Sequence, residues 1–183
     1  MANASVAYNP TIVTLAALMH DVGDHKYRST TASPGVSVDP DTPVECLLMQ
    51  LGASSTQATY VQTIVKAVSY SHEVRDPARV LDVLSQHPEL AIVQDADRLD
   101  ALGAVGIGRT FTYAAAKGGM VGGLDGSIQH FEDKLLRLEG MMKTGVGRRL
   151  ARVRTERLHA FREWWVEENN TAMLTQTKEG LRT

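Results

Sequence analysis

The sequence predicts an all-α protein, and three observations support that prediction. Apolar residues recur with helical spacing along most of the 183 residues, helix-start signals precede several of these segments, and no segment has the pattern of a strand pair or hairpin. We expect one domain over 1–183, a helical bundle with its core over about 10–117, its C-terminal helices over about 127–168 and a flexible tail over 169–183.

The predicted helices begin at recognisable residues. Pro10 begins the first, which ends near Val22, and Thr42 is placed to cap the second, with Pro43 at its first position. The later helices are predicted from Ser54 or Ser55 to Val68, from Pro77 to Leu84, from Pro88 to about Gly103, from Ile107 to Ala116, from Ser127 to Met142 and from about Gly147 to Glu167.

Apolar spacing also predicts which faces are buried in two of these helices. In the helix after Pro88, the inward stripe is predicted to be Ile92, Ala96, Leu99 and Gly103, with Asp95 and Asp100 on a solvated face. In the last helix, the residues predicted to be buried are Leu150, Val153, Leu158, Phe161 and Trp165.

Composition excludes several classes of protein. The formal charge of −2 and the mixed charge pattern give no reason to expect nucleic acid or an acidic membrane as the main partner. A single cysteine, Cys46, excludes an intramolecular disulfide and suits a reducing compartment. No apolar run approaches the roughly 18 residues that span a bilayer, and the N-terminus lacks the pattern of a signal peptide. We therefore expect a cytoplasmic protein.

The segment LAALMHDVGDHKY, residues 15–27, carries an apolar helix directly into His20 and Asp21. A lone histidine on such a face is more often a satisfied core residue than a ligand. However, the adjacent carboxylate needs a partner or a solvated pocket, and Asp97 shares its helix face with a valine and alanines. Imidazole and carboxylate form a mixed nitrogen and oxygen set that suits a divalent metal.

These residues match a known family. His20–Asp21 and Asp97, together with the strings ALMHDVGDHKY and IVQDADRLDALGAVGIGRTF, resemble the HD superfamily of metal-dependent phosphohydrolases. Within that superfamily, the strings are similar to a branch of small bacterial and fungal proteins, some of which are nucleoside triphosphate pyrophosphohydrolases. The resemblance covers nearly the whole chain and includes its C-terminal helices.

The resemblance implies a site. His20, Asp21 and Asp97 match three metal ligands, and Asp24 matches an acidic residue that assists the attacking water in relatives. Lys26 and Arg98 are candidates to bind phosphate oxygens, with ordinary surface charge as an equally weighted alternative. The ligand set suits Mn²⁺ first, with Mg²⁺, Co²⁺ or Fe²⁺ as alternatives. His72 has two interpretations, a neighbour of the site and a solvated turn histidine, and the second is favoured.

One ligand of the family pattern is missing. The family's first histidine lies on a helix upstream of the HD pair, but the 19 residues before His20 contain no histidine. Either the chain is a shortened form that lacks the family's first helix, or it has lost a ligand. The first alternative predicts an apolar groove lined by Val13, Ala16 and Ala17, which would favour self-association.

The resemblance implies hydrolysis of a small phosphate substrate, a nucleotide or another phosphate ester or anhydride, by a metal-activated water. Two alternatives stay open. One is a non-catalytic or weakly active HD-like module that binds nucleotide or a protein partner. The other is a structural helical protein in which the acidic residues form ion pairs, although the buried-looking Asp97 argues against it.

Overall fold

The structure, a computed structural model, describes residues 7–22, 41–118 and 123–170. These residues form helices and connecting turns, and none of them is in a strand, which confirms the all-α prediction. The helices are α1 Pro10–Met19, α2 Pro43–Gln50, α3 Ser55–Val68, α4 Tyr70–Arg75, α5 Pro77–Gln86, α6 Glu89–Asp100, α7 Gly103–Ala116, α8 Gly123–Asp133 and α9 Gly145–Asn169. None of the described helices combines the length and apolarity needed to cross a membrane.

Proline at the first turn marks the start of α1, α2 and α5 as predicted. Other elements differ from the prediction, and one of them is α7, which begins at Gly103 instead of Ile107. The helix expected to run from Pro88 to Gly103 ends at Asp100, because Gly103 adopts a φ of 70°, which breaks the helix and begins α7. Helix α4, Tyr70–Arg75, was not predicted, since its six residues carry too little apolar periodicity.

Ser127 does not cap a helix, which corrects another prediction. Helix α8 begins four residues earlier, at Gly123, and Ser127 is buried inside it. The chain from Leu135 to Met141 forms two short 3₁₀ turns instead of continuing the helix. The apolar residues of this segment are therefore buried although they lie in turns. Apolar spacing alone does not distinguish such 3₁₀ turns from an α-helix.

The predicted buried face of α9 is also wrong in part. Leu150 and Val153 are exposed, and the residues of α9 that are buried are Gly147, Ala151, Thr155 and Leu158. Small side chains on this face allow close packing against α7, where a Cβ added at Gly103 would lie 3.1 Å from Cγ of Arg154. Helix α9 thus carries two apolar stripes, and spacing alone does not tell which one is buried.

The chain divides into two compact units, with the boundary between Asp97 and Arg98. In the first unit, α3 contacts α1, α2, α4 and α5, and its buried face forms the centre of the core. The members of this core with the least exposure are Ala16, Val44, Ala58, Val61, Ile64 and Leu90. The prediction of a single domain over 1–183 stays a prediction.

The first turn of α2 is capped from another helix. Thr42 is at the capping position, but its side chain makes no capping hydrogen bond. Instead, Oε1 of the buried Gln62 on α3 accepts hydrogen bonds from the backbone amides of Val44, at 2.9 Å, and Glu45, at 3.1 Å. These amides lack partners within their own helix, so α3 both packs against α2 and satisfies its amino end.

Candidate metal centre

His20 lies at the carboxyl end of the apolar helix α1. Oδ1 of Asn9 accepts hydrogen bonds from the amides of Thr11 and Ile12 at the amino end, and His20 caps the other end. Ile12 and Ala16 are buried against the core. The packing of α1 therefore sets the position of the imidazole.

The imidazole of His20 has a defined tautomer. Its Nδ1 lies 2.7 Å from the carbonyl oxygen of Ala17. A carbonyl oxygen can only accept, so Nδ1 carries a proton and donates it. In the neutral ring, Nε2 then keeps its lone pair, and a backbone carbonyl at Nδ1 is a common way to orient a metal-binding histidine.

Two carboxylates face Nε2 of His20. Oδ2 of Asp21 lies 3.4 Å from it and Oδ1 of Asp97 lies 3.7 Å from it. Both distances exceed the usual range of an N–H···O hydrogen bond. They are close to the separation of about 3.0–3.6 Å expected between two ligand atoms that are each about 2.0–2.2 Å from one ion. The side chain of His20 is 30% exposed, that of Asp21 is 52% exposed and that of Asp97 is 38% exposed, so solvent and a ligand can reach them.

The structure brings these groups together in pairs. Across the described ranges, no group of three or more His, Cys, Asp or Glu side chains is arranged closely enough to hold a metal ion. His20 is near each carboxylate, but the convergence of all three on one point stays a prediction. In chemistry, one imidazole nitrogen and two carboxylate oxygens fit a divalent ion.

Glu89, at the first position of α6, holds the amino ends of two helices. Its Oε1 accepts the backbone N–H of Asn9 at 2.7 Å, and its Oε2 accepts the hydroxyl of Tyr60 at 2.8 Å. Burial alone would raise the pKa of Glu89, but hydrogen bonds from the amides of Asn9 and Glu89 and from Tyr60 outweigh it and lower the pKa. Burial, together with the hydrogen bond to Glu89 and its negative charge, raises the pKa of Tyr60 to about 12.

Sequence reasoning missed Glu89, because no local signal identifies it. Glutamate directly after Pro88 is an ordinary first-turn residue, so nothing in the sequence marks it as buried. The Asn9 capping residue 80 positions earlier gives no hint of the contact. Only the fold shows that this carboxylate and the His20–Asp97 pair lie at opposite ends of α1 and α6.

The buried face of α6 differs from the predicted stripe. Ala96 is exposed, and the residues of α6 that are buried are Glu89, Leu90, Val93, Gln94, Asp95 and Arg98. The assignment of Asp95 to a solvated face is therefore wrong, because its side chain is only 4% exposed. Four of these six residues are polar or charged, which is why apolar spacing selected the wrong side of the helix.

Arg98 lies in the interior. Its side chain is 2% exposed, and Nη1 donates a 2.8 Å hydrogen bond to the carbonyl oxygen of Met141. A guanidinium buried in this way is not presented to a phosphate group. The phosphate-binding role of Arg98 stays a prediction that this conformation does not favour. The alternative interpretation, ordinary surface charge, is wrong.

The other predicted site residues have two outcomes. Asp24 and Lys26 lie outside the described residues, so their roles stay predictions. His72 lies on α4, is exposed, and has Nδ1 2.9 Å from the carbonyl oxygen of Lys66. Its neighbour Glu73 accepts a 3.2 Å hydrogen bond from Nε2 of Gln94, which places α4 beside α6.

The chain is similar to known bacterial proteins. It is 40% identical over 144 residues to the uncharacterized protein YpgQ of Bacillus subtilis, an alignment that covers 78% of this chain and 65% of that protein. The chain thus spans just under two thirds of the length of this curated relative.

Solved structures resemble it as well. A crystal structure of Bacillus subtilis YpgQ with selenomethionine has a TM-score of 0.71 at 35% identity, covering 88% of this chain and 79% of that one. YpgQ in complex with ADP has a TM-score of 0.68 at 35% identity, covering 88% and 78%. An HD-superfamily hydrolase from Bacillus thuringiensis has a TM-score of 0.60 at 31% identity, covering 90% and 76%.

The sequence model of the HD domain matches residues 2–102, which include His20, Asp21 and Asp97. This match covers more than half of the chain, and the predicted fold class agrees with the observed one. The protein belongs to the HD-domain superfamily.

Proposed function

We propose that this protein is a metal-dependent phosphohydrolase acting on a nucleotide or on another small phosphate ester or anhydride. The observation that carries the proposal is the surroundings of His20. Its Nδ1 donates to Ala17, and its Nε2 lies within 4 Å of one carboxylate oxygen from Asp21 and one from Asp97. One imidazole nitrogen and two carboxylate oxygens near one another are a donor set that a divalent ion accepts.

We propose His20, Asp21 and Asp97 as the residues that would hold the metal. One nitrogen and two oxygen donors suit Mn²⁺, with Mg²⁺, Co²⁺ or Fe²⁺ as alternatives, better than a structural zinc site, because the only thiol in the chain is Cys46. A bound divalent ion lowers the pKa of a coordinated water and polarises a phosphoryl oxygen.

The residues of the chain would supply the remaining functions. The carbonyl of Ala17 keeps the proton of His20 on Nδ1, so Nε2 stays available as a donor atom. Asp24, three residues after Asp21, would accept a proton from the attacking water. Lys26 would offset the negative charge that develops on the phosphate. We leave Arg98 out of this scheme because its side chain is buried.

Two observations support a nucleotide as the substrate class. The strings around His20 and Asp97 resemble those of nucleoside triphosphate pyrophosphohydrolases. The YpgQ protein of Bacillus subtilis, which is 35% identical to this chain in the structural comparison, was solved in complex with ADP. We propose hydrolysis of a nucleoside triphosphate between the α- and β-phosphates, with release of pyrophosphate.

A second candidate function is a non-catalytic nucleotide-binding module. One observation favours it: within the described part of the chain, no three potential ligands are arranged for metal binding. The two candidates differ in what they require. The enzyme needs a metal for turnover, whereas the module would bind nucleotide with little metal and without product formation.

Metal analysis and an activity assay distinguish them. Purified protein would be analysed for Mn, Fe, Co and Mg, and then incubated with a panel of nucleoside triphosphates across a Mn²⁺ titration. Pyrophosphate and phosphate would be measured separately. The phosphohydrolase predicts pyrophosphate release that rises with Mn²⁺ and stops with a chelator. Nucleotide binding without product at saturating metal would favour the module.

A further inference from the structure

Helix α9 carries a second apolar stripe that faces solvent. Val146, Leu150, Val153 and Trp164 are 57%, 45%, 48% and 59% exposed. With Arg157 and Ala160, they fall at alternating intervals of four and three residues. We name these six residues the α9 stripe: Val146, Leu150, Val153, Arg157, Ala160 and Trp164.

The spacing of the α9 stripe is that of a coiled-coil seam. Alternating steps of four and three keep residues on one line when two helices wind around each other. The stripe extends over 19 residues, so its ends are about 27 Å apart along the helix at about 1.5 Å per residue. A different face of α9, which carries Gly147, Ala151 and Leu158, packs within the fold.

The charge of α9 is divided along its length. Residues 145–155 include four arginines and no acidic residue, whereas residues 156–169 include four glutamates and two arginines. A second copy of this helix in the antiparallel direction would place each basic half beside the acidic half of its partner. A parallel arrangement would place Arg149 against Arg154 of the other copy and bring the two Arg157 side chains together.

We propose that the α9 stripe is the interface of a homodimer in which the two α9 helices pack antiparallel around a twofold axis that crosses the stripe between Val153 and Arg157. In this register, Val146 packs against Trp164 of the other copy, Leu150 against Ala160, and Val153 against the aliphatic part of Arg157. The guanidinium of Arg157 then extends towards Glu156 of the other copy. Arg149 and Glu163, which flank the stripe, face each other across the interface twice.

Sedimentation velocity of the whole chain tests the dimer. The interface contains only two and a half heptads, so a dimer is expected to form with increasing concentration between about 1 µM and about 500 µM. The Val153→Glu variant is expected to raise the dimer dissociation constant at least about tenfold, because a buried apolar anchor is replaced by a charge.

Val166→Glu is a matched control. Val166 is 57% exposed on the same helix but lies on the side away from the stripe, so this variant is expected to dimerise like the original chain. Far-UV circular dichroism verifies that both variants keep their helix content. A monomer at every concentration, or equal effects of the two variants, would overturn the proposal.

Cross-linking tests the direction of packing. In a Cys46→Ser background, Leu150→Cys and Ala160→Cys chains are made separately and mixed under oxidising conditions. Antiparallel packing predicts a disulfide between the two different chains that exceeds the cross-linking of either chain with itself. Preferential cross-linking of Leu150→Cys with itself would indicate parallel packing and contradict the proposal.

Charge exchange tests the same direction independently. The Arg149→Glu variant should weaken the dimer, and adding Glu163→Arg should restore it.

Discussion

The backbone amide of Asn9 donates a 2.7 Å hydrogen bond to Oε1 of Glu89, at the ends of α1 and α6 that are opposite to His20 and Asp97. Asn9 caps the start of α1 and Glu89 begins α6, while His20 caps the end of α1 and Asp97 lies near the end of α6. The two helices therefore run in the same direction and meet at both ends. A part-buried hydrogen bond thus joins the two helices at one end, and the proposed metal ligands His20 and Asp97 lie at the other.

The Glu89→Gln variant is expected to lose stability at neutral pH. The free energy of unfolding should fall by about 1–3 kcal/mol, because a buried carboxylate that accepts the Asn9 amide and the Tyr60 hydroxyl is removed. Since the folded-state pKa of Glu89 lies below its ordinary value of 4.5, this stabilisation is present above pH 4.5 and is lost as the pH falls through the lowered pKa.

Chemical denaturation from pH 7 down to pH 3 measures this difference. The difference in the free energy of unfolding between the original chain and Glu89→Gln should become smaller as the pH falls towards 3. Glu45→Gln serves as the control, since Glu45 accepts an exposed hydrogen bond from Thr59 and should show a small effect. A gap of constant size over the whole range would argue against the buried carboxylate as its source.

The Gln62→Leu variant is expected to unfold more easily than Thr42→Ala. Gln62 supplies the acceptor for two backbone amides at the start of α2, so its loss leaves both without a partner and costs about 2 kcal/mol or more. Thr42, at the capping position, makes no capping bond, and its replacement should cost less than the roughly 1 kcal/mol of an ordinary cap. Thermal unfolding of both variants decides this, and the reverse order would contradict the capping role of Gln62.

Two glycines on α7 are expected to respond oppositely to alanine. Nothing lies within 4 Å of a Cβ added at Gly108, so Gly108→Ala should stabilise the helix by about 0.5–1 kcal/mol. A Cβ at Gly106 would overlap the carbonyl group of Ala101, so Gly106→Ala should destabilise by about 1–3 kcal/mol. Melting temperatures that move in the same direction would contradict the packing around Gly106.

The sequence predicted much of the fold because several helix starts are encoded locally. Proline at the first turn and Ser54, whose hydroxyl accepts the amide of Gln57, need no distant partner. The cap of α2 could not be predicted, since its acceptor comes from Gln62, 18 residues after Val44. The buried face of α6 was assigned in part incorrectly because polar residues line it. The buried face of α9 was assigned in part incorrectly because that helix carries two apolar stripes.

The candidate site was predictable for a similar reason. His20 and Asp21 are adjacent in the chain, and Asp97 follows from the resemblance to the HD superfamily. The Ala17 carbonyl that sets the tautomer of His20 could have been inferred, since it lies one helical turn earlier. The burial of Arg98 could not, because its acceptor, the carbonyl of Met141, is 43 residues away.

The Asp24→Ala variant is expected to keep its metal and lose most of its turnover. A positioned general base contributes roughly 10²–10⁴-fold to the rate, and Asp24 is not among the proposed ligands. The measurement compares Mn²⁺ content and pyrophosphate release in the same preparation. Asp82→Ala, on the exposed side of α5, is the control and should behave like the original chain. Loss of metal together with activity would instead make Asp24 a ligand.

Calorimetric titration with Mn²⁺, followed by a pyrophosphate-release assay on the same samples, tests the central claim most directly. The comparison is between the original chain, Asp97→Ala and the control Asp100→Ala. In the original chain, the exposed carboxylate of Asp100 lies 2.8 Å from Nη1 of Arg109. We expect the original chain and Asp100→Ala to bind one ion and to release pyrophosphate from nucleoside triphosphates, whereas Asp97→Ala does neither. Metal binding and hydrolysis that survive unchanged in Asp97→Ala would contradict a metal centre built on His20, Asp21 and Asp97.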